Sequence, residues 1–273
     1  KKVKTMRENI TKAKRIVVKV GTSTLTHENG KINLARVDKL SEVLSDLMNR
    51  GLEIILVTSG AVGVGMGKLK LNSRPKSVRE RQAAAAVGQS ELMHLYSKFF
   101  SEYGHIVGQI LLTKDVVEHT HSRENVINTF ETLLEKGIIP IVNENDSVAT
   151  EELEFNDNHT FGDNDTLSAI VSTLVKADLL ILLSDIDGFY NDDPNINKNA
   201  KLIHEVYEIS NDIKNSAKGV ISNKGTGGMA TKINAAKICL DTNIDMIIAH
   251  GQNPQILYQI LKGDQIGTLF HRR

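Results

Sequence analysis

The sequence predicts a three-layer α/β/α sandwich around a mostly parallel sheet, and three observations carry that expectation. Short apolar runs alternate with stretches of helical period along the whole chain. The runs are continuously apolar, as in strands buried on both faces; an alternating pattern would mark a sheet with one wet face. Polar residues cluster where four of those runs end, which is where ligands sit in open α/β sheets.

The elements follow in order. Residues 15–20 form a first buried strand. Asn33 is placed to cap a helix over 34–49, where Val37, Leu40, Val43, Leu44, Leu47 and Met48 recur on one face and Gly51 marks the end. Residues 53–58 are a second strand, and 58–67 read as a glycine-rich turn after it. The alanine-rich stretch 79–100 is helical, 106–112 a strand, 123–136 a helix, and 138–142 a short buried strand. Residues 165–176 are helical again and 179–183 (LLILL) are a central strand. A helix over 231–240 and a strand over 245–249 complete the pattern. No Pro/Gly/Ser-rich linker interrupts it, so residues 15–273 are expected to be one domain with two lobes, after a basic extension over 1–14 that reads as solvated.

The 273 residues carry 33 basic and 33 acidic side chains, a formal net charge of zero. That balance disfavours broad electrostatic binding to nucleic acid or to an anionic membrane. No apolar run approaches a membrane-spanning length, and no signal-peptide pattern opens the chain. The single cysteine, Cys239, rules out an intramolecular disulfide and lies in a helical pattern that would bury it. A cytoplasmic location fits.

Two lysines stand in settings that suit polyanions. Lys19 precedes Gly21-Thr22-Ser23, and Lys232 closes Gly225-Thr226-Gly227-Gly228-Met229-Ala230-Thr231. Small residues let backbone N–H groups approach oxygens, a helix N-terminus adds its dipole, and lysine adds a point charge. A lysine in an apolar strand is costly to bury without a partner; the plain alternative for Lys19 is an edge position facing solvent. The second segment is the stronger motif, since a flexible linker explains neither Thr231-Lys232 nor the helix that follows. Between them lie two polar clusters, Asn143-Glu144-Asn145-Asp146 and Gly162-Asp163-Asn164-Asp165. They are either a hydrophilic surface loop, with Asp163 or Asp165 capping a helix, or a polar pocket in which Asp146 meets an ammonium group. Ser59 and Gly60 open the glycine-rich segment, which fits neither a dinucleotide fingerprint nor a P-loop; its choices are anion binding through backbone amides or close packing. Ser184-Asp185-Ile186-Asp187-Gly188-Phe189 fails as a calcium loop, and His119 and His121 read as exposed loop histidines, so no metal ligands are assigned.

These motifs, in this order, resemble the glutamate 5-kinases of the amino acid kinase superfamily. The likeness runs from about Arg15 to Phe270, through Lys19-Val20-Gly21-Thr22-Ser23, Thr58-Ser59-Gly60-Ala61, Asn143 to Asp146, Gly162 to Asp165, Leu183-Ser184-Asp185 and Gly225 to Lys232. Two departures stand out. Ser184 replaces a common threonine, and many members carry a C-terminal PUA domain, which is not expected in these 273 residues.

The resemblance implies the amino acid kinase fold and ATP-dependent phosphorylation of the side-chain carboxylate of L-glutamate, the first step of proline biosynthesis. It implies catalytic roles for Lys19, Lys232 and Asp165, and glutamate binding by Ser59, Gly60, Asp146 and Asn164. ATP would be held by Lys19, Gly21, Ser184, Asp185 and the run Thr226, Gly227, Gly228, Met229, Ala230, Thr231 and Lys232. Mg²⁺ would bridge nucleotide oxygens with few protein ligands. A glutamate-binding lobe over about 15–175 and an ATP-binding lobe over about 176–273 are expected. So are homo-oligomers, dimers or tetramers, with proline as a feedback inhibitor and glutamyl phosphate reductase as a partner. Two rival readings remain. One is a sibling kinase acting on acetylglutamate, aspartate, carbamate or UMP, and the other is a nucleotide-binding regulator without turnover.

Overall fold

The computed structural model describes residues 6–27, 31–148, 163–194, 196–211, 213 and 228–272. Ten strands fall in these residues: β1 Arg15–Val20, β2 Glu53–Val57, β3 Val107–Leu112, β4 Ile139–Glu144, β5 Leu179–Ser184, β6 Phe189–Tyr190, β7 Leu202–Ile203, β8 Glu205–Val206, β9 Asp245–His250 and β10 Thr268–Phe270. Eight form one sheet in the order β3-β4-β2-β1-β5-β9-β10-β8, and β6 pairs with β7 separately. Every neighbouring pair in the large sheet is parallel except β9 with β10. The order reverses between β1 and β5, so the carboxyl ends of those two strands flank the crevice where an open α/β sheet takes its ligands.

The α-helices among the described residues are α1 Thr22–Leu25, α2 Leu34–Asn49, α3 Ala61–Lys68, α4 Val78–Glu102, α5 Lys114–Glu118, α6 Thr120–Glu135, α7 Asn164–Leu174, α8 Met229–Asp241 and α9 Ile256–Leu261. Strand side chains alternate between faces, and the two hydrophobic cores divide accordingly. Ile16, Val18 and Val20 join the core with residues of α2, α4 and α9, whereas Val17 joins the core with residues of α6, α7 and α8. The expected sandwich is therefore present, with a mostly parallel sheet as its middle layer.

Local chemistry explains the helix ends. The Asn33 side chain accepts from Arg36 N and starts α2, and Gly51 leaves it at φ +87°. Asp163, not Asp165, caps α7: its carboxylate accepts from the Thr166 N–H at 2.8 Å and hydroxyl at 2.7 Å.

Three expectations are corrected. Residues 61–68 are a helix rather than a turn. Of their glycines, Gly65 serves close packing on α4, where a Cβ would lie 1.8 Å from Ala84 O; reciprocally, a Cβ on Gly88 of α4 would lie 1.7 Å from Ala61 O. The basic stretch before β1 is not solvated throughout. Arg7 and Ile10 are buried, and the Arg7 guanidinium donates to the carbonyls of Asp264, Ile266, His204 and Gly267. His119 and His121 are exposed but sit at the N-cap and first turn of α6, not in a loop. Short elements such as α1, α9, β6–β8 and β10 had no expectation attached to them.

Candidate active site

Lys19 follows Val17 by two positions, so alternation alone sends its side chain to the α7–α8 face. There its Nζ donates to Asp165 Oδ1 at 2.6 Å. Asp165 stands in the first turn of α7, where a carboxylate complements the helix dipole. The other oxygen, Oδ2, accepts from Lys232 Nζ at 3.0 Å and from Thr231 Oγ1 at 2.8 Å. Thr231 and Lys232 belong to the first turn of α8, with Gly228 at its N-cap. Both lysines and the aspartate are buried, Asp165 at 1 % exposure.

The electrostatics of this triad are one-sided. Burial pushes the Asp165 carboxyl up, but Lys19, Lys232 and the hydrogen bonds from Lys19 and Thr231 outweigh it and hold the group well below the usual carboxylate range. Asp165 is thus a fixed anion with no oxygen to spare. Two cations meet on its carboxylate beside the N-termini of α7 and α8, a setting that suits a polyanion.

A second cluster lies across the ends of β1, β2 and β4. Ser59 Oγ donates to Val20 O at 3.2 Å and lies 3.5 Å from Thr22 Oγ1. Gly60 takes the left-handed conformation (φ +94°) that turns β2 into α3. Asn164 Nδ2 donates to Thr58 O at 2.9 Å and to Asn143 Oδ1 at 3.2 Å. Asp146 and Glu144 are half-buried acids. Burial pushes Asp146 up to about 6 against the opposing pull of Arg74. Burial, then the charges of Asp146 and Asp163, push Glu144 up to about 7. Partly desolvated carboxylates suit an incoming cation.

Residues 14–250 match the amino acid kinase family. Glutamate 5-kinase of Clostridium perfringens is 60% identical over 265 residues, covering 97% of this chain and 98% of that protein. Glutamate 5-kinase of Listeria monocytogenes is 58% identical over 267 residues, covering 97% and 95%. The chain belongs to the amino acid kinase family, among the glutamate 5-kinases. Glutamate 5-kinase of Enterococcus faecalis, at 55% identity over 97% of both chains, lies in the same group. Among solved structures, the UMP kinases of Ureaplasma parvum and Bacillus anthracis superpose with TM-scores of 0.63 and 0.61. Each covers 95% of this chain, and 99% and 96% of their own, at 15% and 16% identity. That likeness is one of fold.

In this amino acid kinase the remaining expected residues that are described fall just after β1, at the end of β5 and at the start of α8. A Cβ on Gly21 would lie 3.7 Å from Lys19 Nζ, so the lysine head sits over the glycine that caps α1. Ser184 ends β5, and its hydroxyl donates to Asp185 Oδ1 at 3.1 Å, while Asp185 is exposed. Met229 is buried and Ala230 exposed at the start of α8. Thr226 and Gly227 lie outside the described residues, as do Gly225 and Gly162. Gln89 and Tyr96 of α4 were not foreseen as neighbours of the site. Gln89 Oε1 accepts from Asn143 Nδ2 at 2.8 Å, and the Tyr96 hydroxyl lies 2.8 Å from Thr58 Oγ1. Gln89 is a polar residue on the buried stripe Ala84, Ala85, Gly88, Leu92, and that interruption was the available signal. No described helix is long and apolar enough to cross a membrane.

Proposed function

We propose that this chain transfers the γ-phosphoryl group of ATP to the side-chain carboxylate of L-glutamate, giving L-glutamyl 5-phosphate for proline biosynthesis. The observation that carries the reading is the pair Lys19 and Lys232 on opposite oxygens of Asp165, in a chain 60% identical to a named glutamate 5-kinase. The reaction brings two anions together and spreads charge over the transferring group, so catalysis is positioning plus neutralisation. Lys19 and Lys232 stabilise that charge, and Asp165 holds both ammonium heads in place without itself accepting a proton. The γ-phosphorus–oxygen bond to ADP breaks as the bond to the glutamate carboxylate oxygen forms.

On this reading Ser184, Asp185 and residues 226–232 hold ATP, with Gly21 letting the phosphates approach. Asp146 meets the α-ammonium of glutamate, Ser59 and the amides around Gly60 its α-carboxylate, and Asn164 completes the pocket. The glutamate-binding residues then lie within 15–175 and most of the nucleotide-binding ones within 176–273. Asp165 and Asp163 are committed to lysines and to Thr166. Among the described residues no group of three or more acidic, His or Cys side chains is disposed to hold a metal. Mg²⁺ would accompany the phosphates of ATP and offset their charge. A half-buried carboxylate at Asp146 also suits the secondary ammonium of proline, which would then compete with glutamate. Homo-oligomers, a cytoplasmic location and a reductase that consumes the acyl phosphate complete the reading.

The test is ADP release from Mg·ATP with L-glutamate, with hydroxylamine trapping the acyl phosphate. N-acetylglutamate, aspartate, carbamate and UMP run in parallel, and proline is added at millimolar concentration. Turnover and hydroxamate with glutamate alone are expected, with proline raising the apparent KM. Turnover with another acceptor instead would overturn the pocket, and ATP binding without any turnover would favour a regulator.

A further inference from the structure

Backbone groups decide which way three side-chain amides point. The Glu144 N–H can only donate, so the Asn143 atom 2.9 Å from it is the oxygen. The Thr58 carbonyl can only accept, so the Asn164 atom 2.9 Å from it is the nitrogen. That nitrogen also donates to Asn143 Oδ1, which commits both of its hydrogens. With its oxygen taken, Asn143 turns Nδ2 toward α4, where Gln89 Oε1 accepts at 2.8 Å. The one polar atom of Asn164 left open among the described residues is its oxygen, an acceptor. An ammonium can use it; a carboxylate cannot.

Gln89 carries a cost in this arrangement. It is buried at 8 % exposure, and its Nε2 has no partner. A buried donor left unmade is unfavourable, and an apolar side chain of the same length would avoid it. Only the carbonyl end of Gln89 is in use, and what it does is hold the NH₂ of Asn143, itself 1 % exposed. We propose that Gln89 is a positioning residue: through Asn143 it locks Asn164 with its oxygen facing the substrate pocket, so that Asn164 recognises the α-ammonium of an amino-acid substrate. This rests on the reading of Asn164 as a glutamate-binding side chain.

Gln89→Met removes the acceptor at similar volume. Gln89→Glu keeps an acceptor and drops the orphaned donor. Steady-state kinetics with glutamate and ATP varied separately distinguish the two roles. Gln89→Met is expected to raise KM for glutamate roughly tenfold while KM for ATP stays within about twofold, and Gln89→Glu to stay within about threefold of the parent. An unchanged glutamate KM in Gln89→Met, an equal rise in both KM values, or a Gln89→Glu no better than Gln89→Met would overturn the proposal. Side-chain ¹⁵N amide exchange in the unsubstituted protein decides the matter if Gln89→Met does not fold. Asn143 and Asn164 NH₂ hydrogens protected from solvent are expected; exchange as fast as that of an exposed asparagine would overturn it. If the parent protein turns over no glutamate, the parent reading of function fails, while the exchange measurement still tests the lock.

Discussion

Lys19 and Lys232 come from opposite ends of the chain and grip the two oxygens of one carboxylate, Asp165, at 2.6 and 3.0 Å. The relationship makes Asp165 the keystone of both cations. Asp165→Asn would leave two buried lysines without their anion, and breaking a buried pair in this way costs about 3–5 kcal/mol. The folded-state pKa of Asp165 lies below the unfolded value, so its stabilisation is present above about pH 4 and is lost as pH falls toward the folded value. Urea unfolding should show a large deficit for Asp165→Asn at pH 7 that shrinks in acid. A deficit that persists unchanged as the pH falls through this window would contradict the assignment.

On the proposed mechanism, Lys232→Ala removes one of the two charges that face the transferring group. A drop in kcat of ~100-fold or more is expected, by analogy with removal of one donor to a developing oxyanion. The measurement is initial velocity with both substrates saturating, on protein whose unfolding transition is intact. A folded Lys232→Ala with near-normal kcat would take Lys232 out of the chemistry.

Much of this was legible in the residues, for reasons that also mark the limit. A lysine inside the apolar run Ile16 to Val20 advertises its own need for a partner. Helix period and the cap at Asn33 placed α2 to the residue, because both signals are local. Asp163 and Asp165 could not be told apart, because a cap and a charge anchor have the same composition two positions apart; only the packing of α7 against β1 and α8 separates them. Gly65 looked like loop chemistry because what it accommodates is another helix's carbonyl, which no local pattern reveals. Gln89 and Arg7 act through contacts with distant segments, Arg7 across |i−j| of 197 to 260.

On the proposed assignment, Asp146 gives the glutamate site a pH signature. Its pKa is pushed up to about 6 by burial, and it must be ionised to hold an ammonium. KM for glutamate should therefore rise as pH falls through about 6, with KM for ATP less affected. The sign for stability is opposite to that of Asp165. The folded value lies above the unfolded one, so stability is lost as pH rises from about 4 to about 6. Asp146→Asn should bind glutamate poorly yet melt a few °C higher at pH 8, for relief of order 1 kcal/mol. A lower melting temperature in that variant would show that the carboxylate stabilises the fold, against this account.

Arg7 ties the segment before β1 to the chain beyond α9. Its guanidinium donates to four carbonyls, those of Asp264, Ile266, His204 and Gly267. Burial lowers its pKa against the pull of Glu205. Arg7→Ala leaves those carbonyls to find water in a buried site, at a cost of about 2–4 kcal/mol. Chemical unfolding measures it. Since Arg7 takes no part in the Lys19–Asp165–Lys232 cluster, kcat of the folded fraction should change little. A loss of kcat without a loss of stability would place Arg7 in the site rather than in the frame.

Gly65 and Gly88 set how closely α3 approaches α4, and α3 directly follows Ser59-Gly60. A methyl group on Gly65 would meet Ala84 O at 1.8 Å, and one on Gly88 would meet Ala61 O at 1.7 Å. Both obstacles are backbone, which cannot rotate away, so the helices must part. Gly88→Ala should cost about 3 kcal/mol or more, at the upper end of overpacking effects. Because Gly88 neighbours Gln89, parting the helices also withdraws the acceptor from Asn143. The same substitution should then raise KM for glutamate more than KM for ATP. Gly65→Ala, one turn from the loop that carries Ser59, should do likewise. Gly67→Ala is the control: a Cβ there meets nothing within 4 Å, and a helical glycine replaced by alanine gains up to about 1 kcal/mol. Destabilisation of Gly67→Ala as large as that of the other two would mean that the contact between α3 and α4 does not govern this part of the fold.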